Sequence, residues 1–148
     1  MAEIRETMES SDYRVIFVTT ASASEAKVLA VHLLKERLVA CINLVPKVTS
    51  LYWWQDKIEE CREALMFIKT KEEKVEKVIE AVKRLHSYDV PEILVLPVHG
   101  GSVDYLRWIE ASLVKAGRNS VECAAIEDAS EDGCSGEGSE PVGAPAAR

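Results

Sequence analysis

Apolar residues along this chain change period several times, and each change marks an element. From Tyr13 the run RVIFVTT is β-branched and aromatic, which predicts a buried strand. Ser22-Ala23-Ser24-Glu25 has the form of a capping box, and Ala26, Leu29, Ala30, Leu33 and Leu34 follow at helical spacing. An amphipathic helix ending near Arg37 or Leu38 is expected. Next comes VACINLVPKVTSLYWW, a strand pattern with Pro46 inside it. Proline cannot donate to a ladder, so this strand is an edge there or carries a bulge. A polar turn at Gln55-Asp56 then leads into a second arm through Ile58, Leu65, Met66, Phe67 and Ile68.

Beyond that arm, Thr70-Lys71-Glu72-Glu73 reads as a second capping box, with Val75, Val78, Ile79, Val82 and Leu85 as one apolar stripe. Lys71, Lys74 and Lys77 interleave with Glu72, Glu73, Glu76 and Glu80 on the solvated side. PEILVLPV predicts a short buried strand, His99-Gly100-Gly101 a loop, and Ser102 the cap of a third helix carrying Tyr105, Leu106, Trp108, Ile109 and Leu113.

The order β-α-β-β-α-β predicts an α+β, ferredoxin-like sandwich with an added C-terminal helix and a long β2-β3 hairpin. Right-handed crossovers would place the first two helices on one face of the sheet. The other face then needs the third helix or a neighbouring subunit. Each hairpin arm could exceed the usual ~5–6 residues by a factor of two, so part of the ribbon should overhang its domain. Trp53 and Trp54 precede the turn and point to opposite faces. An exposed Trp-tipped ribbon calls for a cover, either a helix of the same subunit or a second copy. With the turn at Gln55-Asp56, Cys61 faces Ser50 and Cys41 faces Thr70, too far apart for a disulfide.

Charge divides the chain into three. Residues 1–12 hold one Arg against four acids and residues 114–148 hold three basic against seven acidic residues, whereas 13–113 balance 14 against 14. The net −7 therefore belongs to two acidic segments expected to be disordered, and the neutral domain at 13–113 lacks the cationic excess of a nucleic-acid binder. No apolar run approaches bilayer length and residues 1–12 lack a secretory pattern, so a cytoplasmic protein without direct membrane insertion is expected. The four cysteines have no zinc-type spacing and read as free thiols.

Candidate chemistry is sparse. Cys41, His86 and His99 are the soft or borderline ligands of the domain, and copper prefers thiolate and imidazole. The simpler accounts are a small buried strand residue for Cys41 and a helix C-terminal cap for His86, while His32 falls off its helix's apolar stripe and reads as a surface residue. Lys57 with Glu59, and Tyr88 with Glu92, are explained by hairpin ion pairs and loop hydrogen bonds. With no nucleophile elbow, phosphate loop or metalloprotease motif, an enzyme is not expected.

Ala40-Cys41-x-Asn43-x-x-Pro46, Ser50-x-Tyr52-x-Trp54-x-x-Lys57-Ile58-Glu59, Ile68-Lys69-Thr70, His86-x-Tyr88-x-x-Pro91-Glu92, and Gly101 with Tyr105-x-x-Trp108-Ile109 together resemble CutA, the divalent-cation-tolerance family, in a eukaryotic form. The resemblance covers about Tyr13 to Leu113. It implies a homotrimer similar in architecture to PII signalling proteins, with hairpin residues Tyr52, Trp53, Trp54, Lys57 and Glu59 at its assembly. It also implies a role in tolerance of copper or other divalent cations, without an established reaction. Mammalian relatives add a link to acetylcholinesterase assembly at the membrane, hence a protein-binding adaptor as one alternative and a PII-like small-ligand sensor as another. The copper ligands of bacterial members fall on Thr19 and on Leu85-His86, so only His86 keeps a ligand type. Asp56 stands where the family turn has glycine, and a turn under some strain is expected there.

Overall fold

The computed structural model describes residues 12–114. The expected disordered segments, 1–12 and 114–148, lie almost entirely outside them. Four strands and three α-helices follow one another as β1 (Tyr13–Thr20), α1 (Ala23–Lys35), β2 (Cys41–Trp54), β3 (Lys57–Lys71), α2 (Val75–Leu85), β4 (Ile93–Pro97) and α3 (Val103–Leu113). A 3-10 turn, Glu72–Lys74, precedes α2. The sheet runs β2-β3-β1-β4 with every pair antiparallel.

Alternation along the central strands decides where the core lies. Ile16 and Val18 of β1 and Ala64, Met66 and Ile68 of β3 point to one face, where they are buried against Leu29 and Leu33 of α1 and Val78 and Val82 of α2. The opposite face is largely open. Phe17 and Phe67 meet there edge-to-face at 5.0 Å and stay only half-buried. A smaller cluster of Ala40, Leu106, Ile109 and Leu113, flanked by Tyr13 and Val98, docks α3 at one end of the sheet.

Helix ends explain how these layers join. Ser22 accepts the Glu25 N–H at 3.2 Å, and the Glu25 carboxylate accepts the Ala21 N–H, so the first capping box forms with its return bond displaced by one residue from the Ser22 cap. At the far end of α1, Arg37 adopts φ 55° while its N–H reaches the Leu34 carbonyl and the Leu38 N–H reaches that of Leu33. That is the Schellman pattern, with arginine in the place glycine usually takes. The Arg37 guanidinium then donates to the Ser112 carbonyl at 3.0 Å, tying α1 to α3.

The second capping box does not form. Thr70 and Lys71 still belong to β3, and the Thr70 hydroxyl donates to the Leu38 carbonyl at 2.6 Å instead. Its side chain is buried, so a cross-connection satisfied it better than a helix start. Ser102 occupies the N-cap of α3 without a side-chain bond to the helix. β4 was expected to be buried; it is an edge strand on which Leu94, Val95 and Leu96 remain partly exposed.

The hairpin has the expected length, 14 and 15 residues per arm, and turns at Gln55-Asp56. Both turn residues have positive φ, 47° and 61°, the signature of a type I′ turn whose twist suits a two-residue loop. Pro46 sits in a bulge: Val45 pairs with Leu65 and Val48 with Glu63, so two residues of β2 oppose the single Ala64. One extra residue shifts the register at the base. Cys41 therefore faces Lys69, not Thr70, while Cys61 faces Ser50 as expected. The same shift keeps both halves of β2 in phase with the sheet, with Cys41, Asn43, Val45, Val48, Ser50, Tyr52 and Trp54 all paired to residues of the open face.

Candidate functional site

At the end of α2, His86 leaves the helix with its N–H still bonded to the Val82 carbonyl at 2.8 Å. Its imidazole does not cap that helix; it crosses to β1. Nε2 lies 2.7 Å from the Thr19 carbonyl, which can only accept, so Nε2 carries the proton. Nδ1 is then the lone-pair nitrogen, and it accepts the Tyr88 N–H at 3.0 Å. The ring is completely buried and both nitrogens are used. Glu25 Oε1 stands 3.7 Å from Nδ1 and is engaged elsewhere, accepting the Ser87 N–H at 2.8 Å, while Oε2 accepts the Ser87 hydroxyl at 3.0 Å. One carboxylate thereby links the start of α1 to the end of α2.

The structure brings together Thr19 and His86 but not Cys41. Cys41 pairs with Lys69, four residues along β3 from the Thr19 partner Leu65, a separation of about 13 Å at strand rise. Its Sγ accepts from Lys69 Nζ at 3.7 Å. Burial and the adjacent Cys41 thiol push the Tyr105 phenol up from its ordinary range, and Tyr105 stacks on Trp108 at 5.6 Å. Leu85, exposed, offers no donor atom. His32 is half-buried, its Nε2 3.3 Å from an Arg84 guanidinium nitrogen, and His99 is exposed.

Residues His86 and Cys41 do not fit a shared metal centre in this arrangement. A metal would have to take the Nδ1 lone pair from the Tyr88 N–H, and Thr19 provides a hydroxyl where copper favours thiolate. Among the described residues no group of three or more His, Cys, Asp or Glu is placed to hold an ion.

An open cleft of about 320 Å³ lies beside this junction, lined by Thr19, Tyr52, Cys61, Glu63, Tyr88 and Glu92, with Ser50 and Leu51 at its side. Register explains the β3 side of it: Cys61 and Glu63 lie on the face of β3 that the helices leave uncovered, opposite Ser50 and Val48. The Tyr88 hydroxyl donates to Glu63 Oε2 at 3.2 Å. Burial, then the Glu63 charge, push the Tyr88 phenol far up, and the same two causes raise the Cys61 thiol. Tyr52 is raised by burial and then by Cys61. Sequence patterning placed Tyr52 on the hairpin and treated Cys61 only as a disulfide candidate; Glu63 it missed. Pairing about the turn puts Ser50, Tyr52, Cys61 and Glu63 on one face and was the available signal, but nothing in the pattern announces that Tyr88 reaches Glu63 from a loop.

Lys57 and Glu59, expected to form hairpin ion pairs, lie exposed, opposite Trp54 and Tyr52, and neither is in an ion pair among the described residues. Trp53 is 72% exposed and Trp54 half-buried, on opposite faces as expected.

The family described as CutA1 divalent ion tolerance protein matches residues 14–112. The chain belongs to that family. It is 42% identical over 98 residues to Protein CutA 1, chloroplastic, of Oryza sativa subsp. japonica, covering 66% of this chain and 55% of that protein. The chain thus spans about half the length of such plant relatives. To the divalent-cation tolerance protein CutA of Thermus thermophilus it is 43% identical over 95 residues, covering 64% of this chain and 92% of the relative. The solved structure of CutA1 from Oryza sativa superposes with a TM-score of 0.68 at 38% identity, over 72% of this chain and 98% of that one. The CutA family match therefore takes in every strand and helix described above save the end residues Tyr13 and Leu113. No helix among the described residues is long and apolar enough to cross a membrane.

Proposed function

We propose that this chain is a non-catalytic, ferredoxin-like subunit of a homotrimer, similar in architecture to PII proteins, that acts in tolerance of divalent cations. The observation that carries the reading is the uncovered sheet face. Phe17 and Phe67 lie half-buried on it, Leu94 and Leu96 lie beside them, and the hairpin carries the same face on through Val45, Tyr52 and Trp54, while Leu51, Trp53 and Ile58, each about two-thirds exposed or more, lie on the ribbon's other face. A monomer seldom leaves so much contiguous apolar surface in water. A second and third copy would cover it. The order β2-β3-β1-β4 with α1 and α2 on one face supports the ferredoxin-like assignment. Free thiols at Cys41 and Cys61 support a reducing, cytoplasmic setting.

Copper or another divalent cation is the expected effector, because relatives carry divalent-cation tolerance in their names. A second reading, an adaptor that binds other proteins such as an acetylcholinesterase assembly, is favoured by one observation: the His86 ring has no lone pair left for a metal. Two measurements on the full chain decide between them. The native mass should be three times the chain mass. Calorimetric titration with copper at a controlled oxidation state should then show saturable binding; loss of it in His86→Ala or Cys41→Ala would assign the ion to that residue, and stoichiometric binding that survives both variants, as the occupied His86 ring favours, places the ion elsewhere. A chain that takes up no copper but keeps the trimeric mass favours the adaptor. A monomeric mass removes the reading altogether.

A further inference from the structure

The cleft on the open face has a chemistry that the reading above leaves unused. Its lining holds two carboxylates, Glu63 and Glu92, and two phenol rings, Tyr52 and Tyr88, and none of the eight lining residues is Lys, Arg or His. Neither carboxylate belongs to an ion pair among the described residues. One oxygen of Glu63 is held by the Tyr88 hydroxyl, which leaves the other oxygen free to accept. Glu92 is an exposed residue of the same lining.

We propose that this cleft binds an ammonium group, carried either by a small primary amine or by a lysine of a second copy of the chain. An ammonium presents three N–H donors and needs acceptors around it. Glu63, Glu92 and the Thr19 hydroxyl supply them from three different segments of the chain. Faces of aromatic rings attract cations, and Tyr52 and Tyr88 stand beside the carboxylates to receive the charge or the adjoining methylenes. The volume is at the small end of ligand pockets, enough for a short aliphatic amine. A metal ion is the poorer fit, because no three ligating side chains converge among the described residues. The same surroundings act on the neighbouring acids: burial first, and the Glu63 charge with it, push Tyr52, Cys61 and Tyr88 toward their protonated forms. A field that opposes thiolate and phenolate favours a cation.

The test uses the full chain near neutral pH and low salt, with n-butylammonium chloride as the probe and the tyrosine ring signals of the NMR spectrum as the readout. Saturable movement of the Tyr52 and Tyr88 signals, weakened about tenfold or more by Glu63→Gln, is the expected result, since a charged hydrogen bond is worth that much. Sodium butyrate, which carries the opposite charge on a chain of similar length, should not bind. Saturation in the parent assigns the site to a free amine. Saturation only in Lys57→Gln, which removes the exposed lysine beside the hairpin turn, assigns it to a lysine of a second copy. No saturable movement in either protein overturns the proposal, as does a Glu63→Gln variant with parental melting temperature that binds as the parent does. Native mass is measured on each sample, so failure of the trimer reading is seen separately.

Discussion

At the scale of single residues, the junction of β1, α1 and α2 is built from groups whose hydrogen-bonding capacity is nearly exhausted. Glu25 accepts from Ala21 and Ser87, and His86 joins Thr19 to Tyr88. Tyr88 extends the set to Glu63, where burial and the carboxylate raise its phenol above the usual value near 10. The sign of the consequence is fixed. In the unfolded chain the phenol deprotonates near pH 10, whereas the folded protein retains that proton, so stability is fully present below pH ~10 and falls as pH rises beyond it. Cys61, also raised, adds a loss of the same sign beginning in the thiol range. Urea unfolding at pH 8 and 10.5 should show this drop, and Tyr88→Phe should make it shallower while costing about 1 kcal/mol at pH 8 for the lost bond. A drop of equal size in the variant would mean that Tyr88 does not contribute. Sequence reading found His86 and Tyr88 as motif residues but misjudged their partners. Helical and strand periods report burial, whereas a ring that crosses 67 residues to a carbonyl leaves no local trace.

At the scale of elements, the long hairpin was legible because its arms alternate and its turn is polar. The bulge at Pro46 was legible as one of two alternatives, and its effect on register was not, since a bulge can add its extra residue on either side of a proline. The second capping box misled for a related reason: Thr-x-x-Glu describes a helix start only if the threonine is free, and here β3 continues through it to meet Leu38. At the turn, the strain expected at Asp56 takes a definite form, positive φ at both Gln55 and Asp56. Asp56→Gly should therefore stabilise the chain by about 1 kcal/mol, the order of the left-handed penalty. Chemical denaturation checks it. No gain would show that the aspartate side chain compensates for its backbone.

For the whole molecule, α+β class, three helices and the helix-covered face followed from the order of elements. The open face followed only as a need for a cover, because a single chain cannot encode its neighbour's position in its own periodicity. Phe67 lies at the middle of that face against Phe17. Phe67→Ala should weaken assembly, with a cost of about 3–5 kcal/mol if the ring is fully buried between copies. Native mass and melting temperature read this directly; a variant with the parental values for both would show that the face is covered in some other way or not at all.

The bulge at Pro46 has one more consequence, for how this ribbon can change length. Because it absorbs the register mismatch at the base, the tip beyond Val48 is a regular ladder closed by a two-residue turn. Two residues added to each arm would lengthen the tip by about 7 Å and leave every side chain on its present face. One residue added to each arm would exchange the two faces at the turn, sending Trp53 to where Trp54 points. Homologous ribbons should therefore differ in even steps per arm, and an odd step should coincide with a second bulge.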